Sequence, residues 1–356
     1  MLTDAIQMGV PDEWKKEFAA GTVYRVGTLL FRRGKPGIIA HLNETAAVQQ
    51  VTSELFKGVL SQSGTIASLA SGPPGMVLAA LTKSAGLGMQ AVAIRQGEQI
   101  KAALGTLQSL QMASLVVSGI GIGVSVAGFA ILSQKIGRVS DQVKALDTRL
   151  EQMAKSIDDL RREPVQEDFD RLRTACEQMD EAWSLSTPER QWRSAAQELH
   201  GLQNRFSRRV RRIVAETDEI ATVEPFVEAF AMAGAARVSS RLAAGDNEAS
   251  LQASESFARE FREVLEPIGA ADILAERLRA EGILPGDARY ASRAEQLQVD
   301  ASAVAASYRD REAAASSTPF TLRRLEKAGI SGRKWLEAAR HETTEPLMFL
   351  NADSEG

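Results

Sequence analysis

From residue 102 to residue 134 the chain runs for 33 residues without Asp, Glu, Lys, Arg or His. A helix on the surface of a water-soluble bundle carries a charge every few residues on its wet side, whereas a bilayer span needs about 20 predominantly apolar residues. The run is far longer than a strand and holds no proline, so the pattern predicts a helix, and residues 112–132 meet the length of a span. Gly119, Gly123 and Ala127 recur at every fourth position, which places them on one helix face where a second backbone can pack closely. Residues 76–94 form another apolar stretch, carrying Lys83 near its middle, and the polar joint 95–101 makes a helical hairpin over 64–134 the economical reading. A helix buried at the centre of a soluble bundle stays open as the alternative.

Directly beyond, Leu132, Ile136, Val139, Val143, Leu146, Leu150, Met153, Ile157 and Leu160 alternate spacings of four and three over four heptads, the seam of a coiled coil. The positions between them are mostly polar or charged. The seam leaves the apolar helix in register, so one rod over 132–162 is expected, ending at Pro164. From residue 165 onward the apolar spacing is helical again. Phe169, Leu172, Cys176, Met179 and Trp183 line one helix, and Trp192, Leu199, Leu202, Phe206, Val210 and Ile213 line its antiparallel neighbour. Further helices are expected at 222–243, 249–267, 270–281, 287–314, 319–328 and 332–341, separated by glycine and proline signals.

The clearest strand pattern lies near the beginning, where 22–31 and 37–42 flank Arg32-Arg33-Gly34-Lys35-Pro36 as a β-hairpin around a basic turn. A short helix opens at Pro11. The expected fold is therefore mainly α: a small α+β segment with a β-hairpin (1–60), an apolar membrane-type helical hairpin (64–134), a coiled-coil rod (132–162), an all-helical C-terminal domain (165–345) and a tail (346–356).

Charge and composition narrow the chemistry. The net charge is −4, so bulk electrostatics gives nucleic-acid binding no support, and any basic function has to be local. A single cysteine, Cys176, rules out an internal disulfide, and the three histidines, His41, His200 and His341, lack metal-ligand spacing. Gly119 to Gly123 reads GIGIG inside an apolar run, not a phosphate loop between strand and helix. No phosphate-loop, nucleophile-elbow or zinc-protease motif is present, so neither an enzyme nor a cofactor is expected. The first residues are acidic early and lack a basic segment before an apolar one, so no secretory signal is expected and synthesis is placed in the cytoplasm. Lys135, Arg138, Lys144 and Arg149 follow the apolar helix closely, which puts that end of it in the cytosol and points to the inner membrane.

Two basic groupings remain. Arg205, Arg208, Arg209 and Arg212 fall at i, i+3, i+4 and i+7, a stripe that phosphate headgroups or an acidic partner would fit unless nearby acids such as Glu198 and Glu216 neutralise it. Residues 318–341 have a helix-turn-helix outline, with Arg333, Lys334 and Arg340 on the second helix, a shape also common in proteins that bind no DNA.

The small-residue apolar hairpin running into a heptad rod resembles, over residues 64–160, the layout of α-helical pore-forming toxins of the haemolysin E and haemolysin BL type. That resemblance rests on Gly119, Gly123 and Ala127 and on the seam Val139, Val143, Leu146, Leu150, Met153, Ile157 and Leu160. It implies membrane lipid as a partner, self-association, and pore formation or membrane disruption, in keeping with a bacterial defence or toxin role. The short C-terminal helices depart from those elongated bundles and would suit a protein partner. Two other readings stay open: a membrane-anchored coiled-coil scaffold that recruits a cytosolic protein, and a soluble helical interaction protein.

Overall fold

The computed structural model describes residues 6–47, 159–216, 223–345 and 347–352. The apolar runs at 76–94 and 102–134, the packing face Gly119, Gly123 and Ala127, and the seam from Val139 to Ile157 lie outside them. Leu160 is the one seam position within a described element. Among the described residues the fold is mostly helical, with an antiparallel sheet. No helix among them is long and apolar enough to cross a membrane.

In chain order the elements are β1 (Ile6–Met8), α1 (Asp12–Ala19), β2 (Val23–Val26), β3 (Leu29–Arg32), β4 (Ile38–Glu44), α2 (Asp159–Glu181), α3 (Glu189–Glu216), α4 (Glu224–Ala243), α5 (Asn247–Leu265), α6 (Ala270–Ala280), α7 (Tyr290–Lys327), α8 (Gly332–His341) and β5 (Leu347–Asn351). The strands form one antiparallel sheet in the order β1-β5-β4-β3-β2. The expected hairpin is present as β3 and β4 around the basic turn. Its first arm is split, however, because Gly27 takes φ +59° and turns the chain between β2 and β3. That turn packs tightly against α7: a Cβ on Gly27 would lie 2.2 Å from the Ala313 carbonyl oxygen.

The largest departure from the sequence reading is β5. Residues 346–356, expected as a tail, supply a strand paired with both β1 and β4, Phe349 opposite Gln7 and Leu42. Leu347, Met348, Phe349 and Leu350 are all fully buried. Burial of successive residues means that both faces of this strand are covered. Trp14 of α1 meets the Phe349 ring edge-on at 5.4 Å. On the opposite face His41, cross-strand partner of Leu350, reaches Thr321 of α7.

Among the helices α4 is central. Phe226, Val227, Ala229, Phe230, Ala233, Ala235, Ala236 and Val238 are all buried, so it has no wet face, and Pro225 starts it without loss because an N-terminal helical N–H lacks an internal partner anyway. Its small residues let neighbours close in. A Cβ on Gly234 would lie 2.3 Å from the Phe257 ring of α5, which belongs to a three-ring cluster with Phe230 and Phe261. Trp192, Leu199, Leu202, Phe206 and Val210 give α3 the buried stripe that its spacing predicts.

Two prolines fall inside helices where breaks were expected. Pro164 lies within α2 and Pro319 within α7, which runs unbroken for 38 residues in place of two helices at 287–314 and 319–328. An interior proline costs roughly 3 kcal/mol. In α7 that cost is offset by burial on either side, at Ala314, Ala315, Leu322 and Leu325, while Ser317 and Thr318 both donate to the Ala314 carbonyl. One continuous hydrophobic core takes residues from the sheet and from the helices alike, so the N-terminal strands and the C-terminal helices share an interior.

Candidate functional site

The arginine stripe of α3 is largely occupied by an acid from another helix. Asp168 of α2, almost fully buried, accepts from Arg205 at 2.8 Å and from Arg209 at 2.9 Å. Arg209 also lies 5.4 Å from the Phe226 ring centre. Burial pushes the Arg209 pKa down against the pull of Asp168, whereas the Asp168 hydrogen bond raises that of Arg205. Arg208 and Arg212 remain on the exposed side. The four positions thus share a face, but two of them hold α2 against α3.

Two of the three cations of the expected helix-turn-helix are similarly engaged, and Lys334 is exposed. Arg333 donates to the Ala243 carbonyl and to Glu189, both at 2.7 Å, and its guanidinium stacks 4.8 Å from the Trp192 ring. Arg340 donates to Asp180 at 3.0 Å and lies 4.7 Å from the Trp183 ring, in edge contact with Trp192. Burial lowers the Arg340 pKa, and Asp180 opposes that. Because α7 is continuous through Pro319, the outline read from 318–341 reduces to the end of a long helix, a turn at 328–331 and α8. Arg333 and Arg340 clamp α8 onto the joint between α2 and α3.

His200 and His341 are exposed, whereas several other polar side chains are engaged in the interior. The backbone N–H and the hydroxyl of Thr28 both donate to Ser317 Oγ at 2.8 Å, and Thr321 Oγ1 stands 3.2 Å from Thr28 Oγ1 and 3.1 Å from His41 Nδ1. These contacts pin the β2–β3 turn and β4 to α7. Arg25, buried beside Glu44 at 3.3 Å, has its pKa lowered by desolvation. Cys176 is buried in α2, and desolvation pushes its thiol pKa well above the ordinary value, the opposite of what a nucleophilic thiolate requires. Among the described residues no group of three His, Cys, Asp or Glu side chains is placed to hold a metal ion.

Two surface features stand out. A polar groove of about 1040 Å³ runs along α2 and α3, lined by Glu167, Asp170, Arg171, Thr174, Gln197 and Glu198 among others. The second is the tip of the β3–β4 hairpin, where Tyr24, Arg32, Arg33, Gly34, Lys35 and Pro36 surround an open cavity of about 660 Å³. Residues 33–37 are exposed, and Tyr24 and Val26 on edge strand β2 are 41% and 44% exposed. Tyr24 stacks on its cross-strand partner Phe31 at 5.6 Å, and Arg33 caps the Tyr24 ring at 5.9 Å. Arg32 is bound to Glu17 at 2.8 Å. Neither Arg33 nor Lys35 pairs with a carboxylate among the described residues. The sequence marks this turn as basic; what it leaves out is the strand β2 folding back to set Tyr24 beside those charges, with Val26 further along the same face.

No protein-family model, no curated protein and no solved structure matches this chain.

Proposed function

We propose that this is a non-enzymatic, membrane-acting bacterial protein that self-associates and perforates or disrupts the inner membrane, with the sheet-and-helix body as its cytosolic, partner-sensing part. The observation that carries this reading is the 33-residue stretch at 102–134 without a single ionisable side chain. In water such a stretch needs apolar cover on every side; in a bilayer it needs none. In chain order the run lies between β4 and α2, two elements that contribute to one core. A helical hairpin with both ends on one side of the membrane fits that connectivity. Gly119, Gly123 and Ala127 would pack neighbouring hairpins, Lys83 would face a wet lumen, and the seam from Val139 to Leu160 would hold copies together.

Release of dye from liposomes tests the pore directly. The full chain is expected to empty vesicles, and Gly119→Leu together with Gly123→Leu should abolish release while the body keeps its thermal transition. Undiminished release from the double variant would refute glycine-face packing.

A membrane-anchored scaffold is the second reading, favoured by the 1040 Å³ polar groove along α2 and α3, a surface suited to a peptide or helix of a recruited protein. It predicts membrane association without dye release, and loss of recruitment when Leu146 and Leu150 are replaced.

A further inference from the structure

We propose that the β3–β4 hairpin tip, with Tyr24 beside it and Val26 further along the same face of β2, is a contact site for the surface of an anionic phospholipid bilayer. Cross-strand partners lie on one face of a sheet, so Tyr24 with Phe31 and Val26 with Leu29 form a single apolar strip. Leu29 pairs in turn with His41, which puts the strip on the α7 side of the sheet. Helix α7 covers the Leu29 end, where the neighbouring Thr28 is bonded to Ser317, and Leu29 is buried. Tyr24 and Val26 are 41% and 44% exposed. Beyond the Tyr24 end stand Arg33 and Lys35, exposed and without carboxylate partners among the described residues.

A ring with a polar tip, an aliphatic side chain on the same face and long cations without carboxylate partners among the described residues make up the arrangement suited to the boundary between headgroups and acyl chains. The ring and Val26 sit at headgroup depth while the cations reach phosphate. Each cation near an anionic leaflet contributes on the order of 1 kcal/mol, and the contribution is screened within a Debye length. Tyr24 is already stacked on Phe31 and capped by Arg33, so little side-chain freedom is lost on contact. A single-stranded nucleic acid would also meet phosphate-binding cations and an aromatic ring. The net charge of −4 gives nucleic-acid binding no bulk electrostatic support, Arg205, Arg209, Arg333 and Arg340 are engaged within the fold, and the lipid surface is favoured for that reason.

This inference rests on the membrane-acting reading, in which the hairpin contact and the charge-free run engage the same bilayer, and it adds lipid selectivity. Binding of the full chain is measured on vesicles of phosphatidylcholine alone and of phosphatidylcholine with phosphatidylserine, at low and high salt. The wild type is expected to bind both, and the anionic vesicles more tightly at low salt. Arg33→Gln with Lys35→Gln should weaken binding to the anionic vesicles about 30-fold, leave binding to neutral vesicles unchanged, and leave the unfolding midpoint in place. Arg259→Gln, an exposed cation on α5, serves as the control and should change nothing. Unaltered anionic-vesicle affinity in the hairpin variant, or an equal loss in the Arg259 variant, would overturn the hairpin assignment alone. No wild-type binding to either vesicle would overturn the membrane reading itself. A hairpin variant that loses affinity for a single-stranded oligonucleotide but not for vesicles would replace lipid by nucleic acid.

Discussion

Ending the chain before Leu347 is expected to abolish cooperative folding of the sheet and of the helices packed on it. Leu347, Met348, Phe349 and Leu350 are buried completely, and each such side chain contributes roughly 1.5–3 kcal/mol by removal from water. Their sum rivals the whole stability of a typical domain, about 5–15 kcal/mol. The loss is greater than that of four side chains, because β5 is hydrogen-bonded on both sides and its removal leaves β1 without a partner strand and opens an edge on β4. Phe349→Ala gives the graded form of the experiment: the strand stays, the Trp14 contact goes, and stability should fall by about 3–5 kcal/mol. Thermal and denaturant unfolding followed by circular dichroism reads both. A truncated chain that melts cooperatively near the wild-type temperature would show that residues 347–351 are peripheral after all.

Breaking the Asp180–Arg340 pair should be nearly as damaging as the Phe349 substitution. The two side chains are about nine-tenths buried, 3.0 Å apart, with the guanidinium against Trp183. Asp180→Ala leaves a buried cation without its counter-charge, a change that costs about 3–5 kcal/mol in comparable sites. Replacing both partners, Asp180→Leu with Arg340→Met, removes the charge along with its partner and should recover most of the loss. Denaturant midpoints with unchanged slopes would establish this. A single substitution costing under about 1 kcal/mol would mean that solvent reaches the pair and that α8 is not clamped through it.

The sequence and the fold agree where burial repeats with a single period. The stripe of α3 from Trp192 to Val210 is visible because one face is wet and the other dry. The β3–β4 hairpin is visible because a glycine- and proline-bearing basic turn separates two apolar runs. Three things were not legible, each for a physical reason. The strand Leu347–Asn351 is five residues long, and its partners β1 and β4 lie some 300 positions earlier, so nothing local marks it as central. Pro164 and Pro319 read as stops because the local rule prices a lost hydrogen bond, and around Pro319 it cannot see the packing that offsets it.

The arginine stripe shows a similar limit. Helical spacing places Arg205 and Arg209 on one face correctly, yet which acid stands opposite is a property of the neighbouring helix, and Asp168 supplies it. Glu198 and Glu216, the acids near in sequence, are not the ones that bind Arg205 and Arg209. The same holds for Arg333 and Arg340, whose partners Glu189 and Asp180 are brought up by tertiary packing. The basic turn at Arg33 and Lys35 is visible in the sequence, but the exposed Tyr24 beside it is recognisable only once β2 is seen to fold back against β3.

The central claim is that residues 102–134 reside in a bilayer, and alkaline carbonate extraction of membranes from expressing cells tests it most directly. The full-length protein is expected to stay in the membrane pellet, where an integral helix is held by its apolar surface and peripheral charge contacts are stripped away. Quantitative release into the supernatant, without aggregation, would contradict the claim and leave a water-soluble helical bundle with a buried apolar helix as the better account.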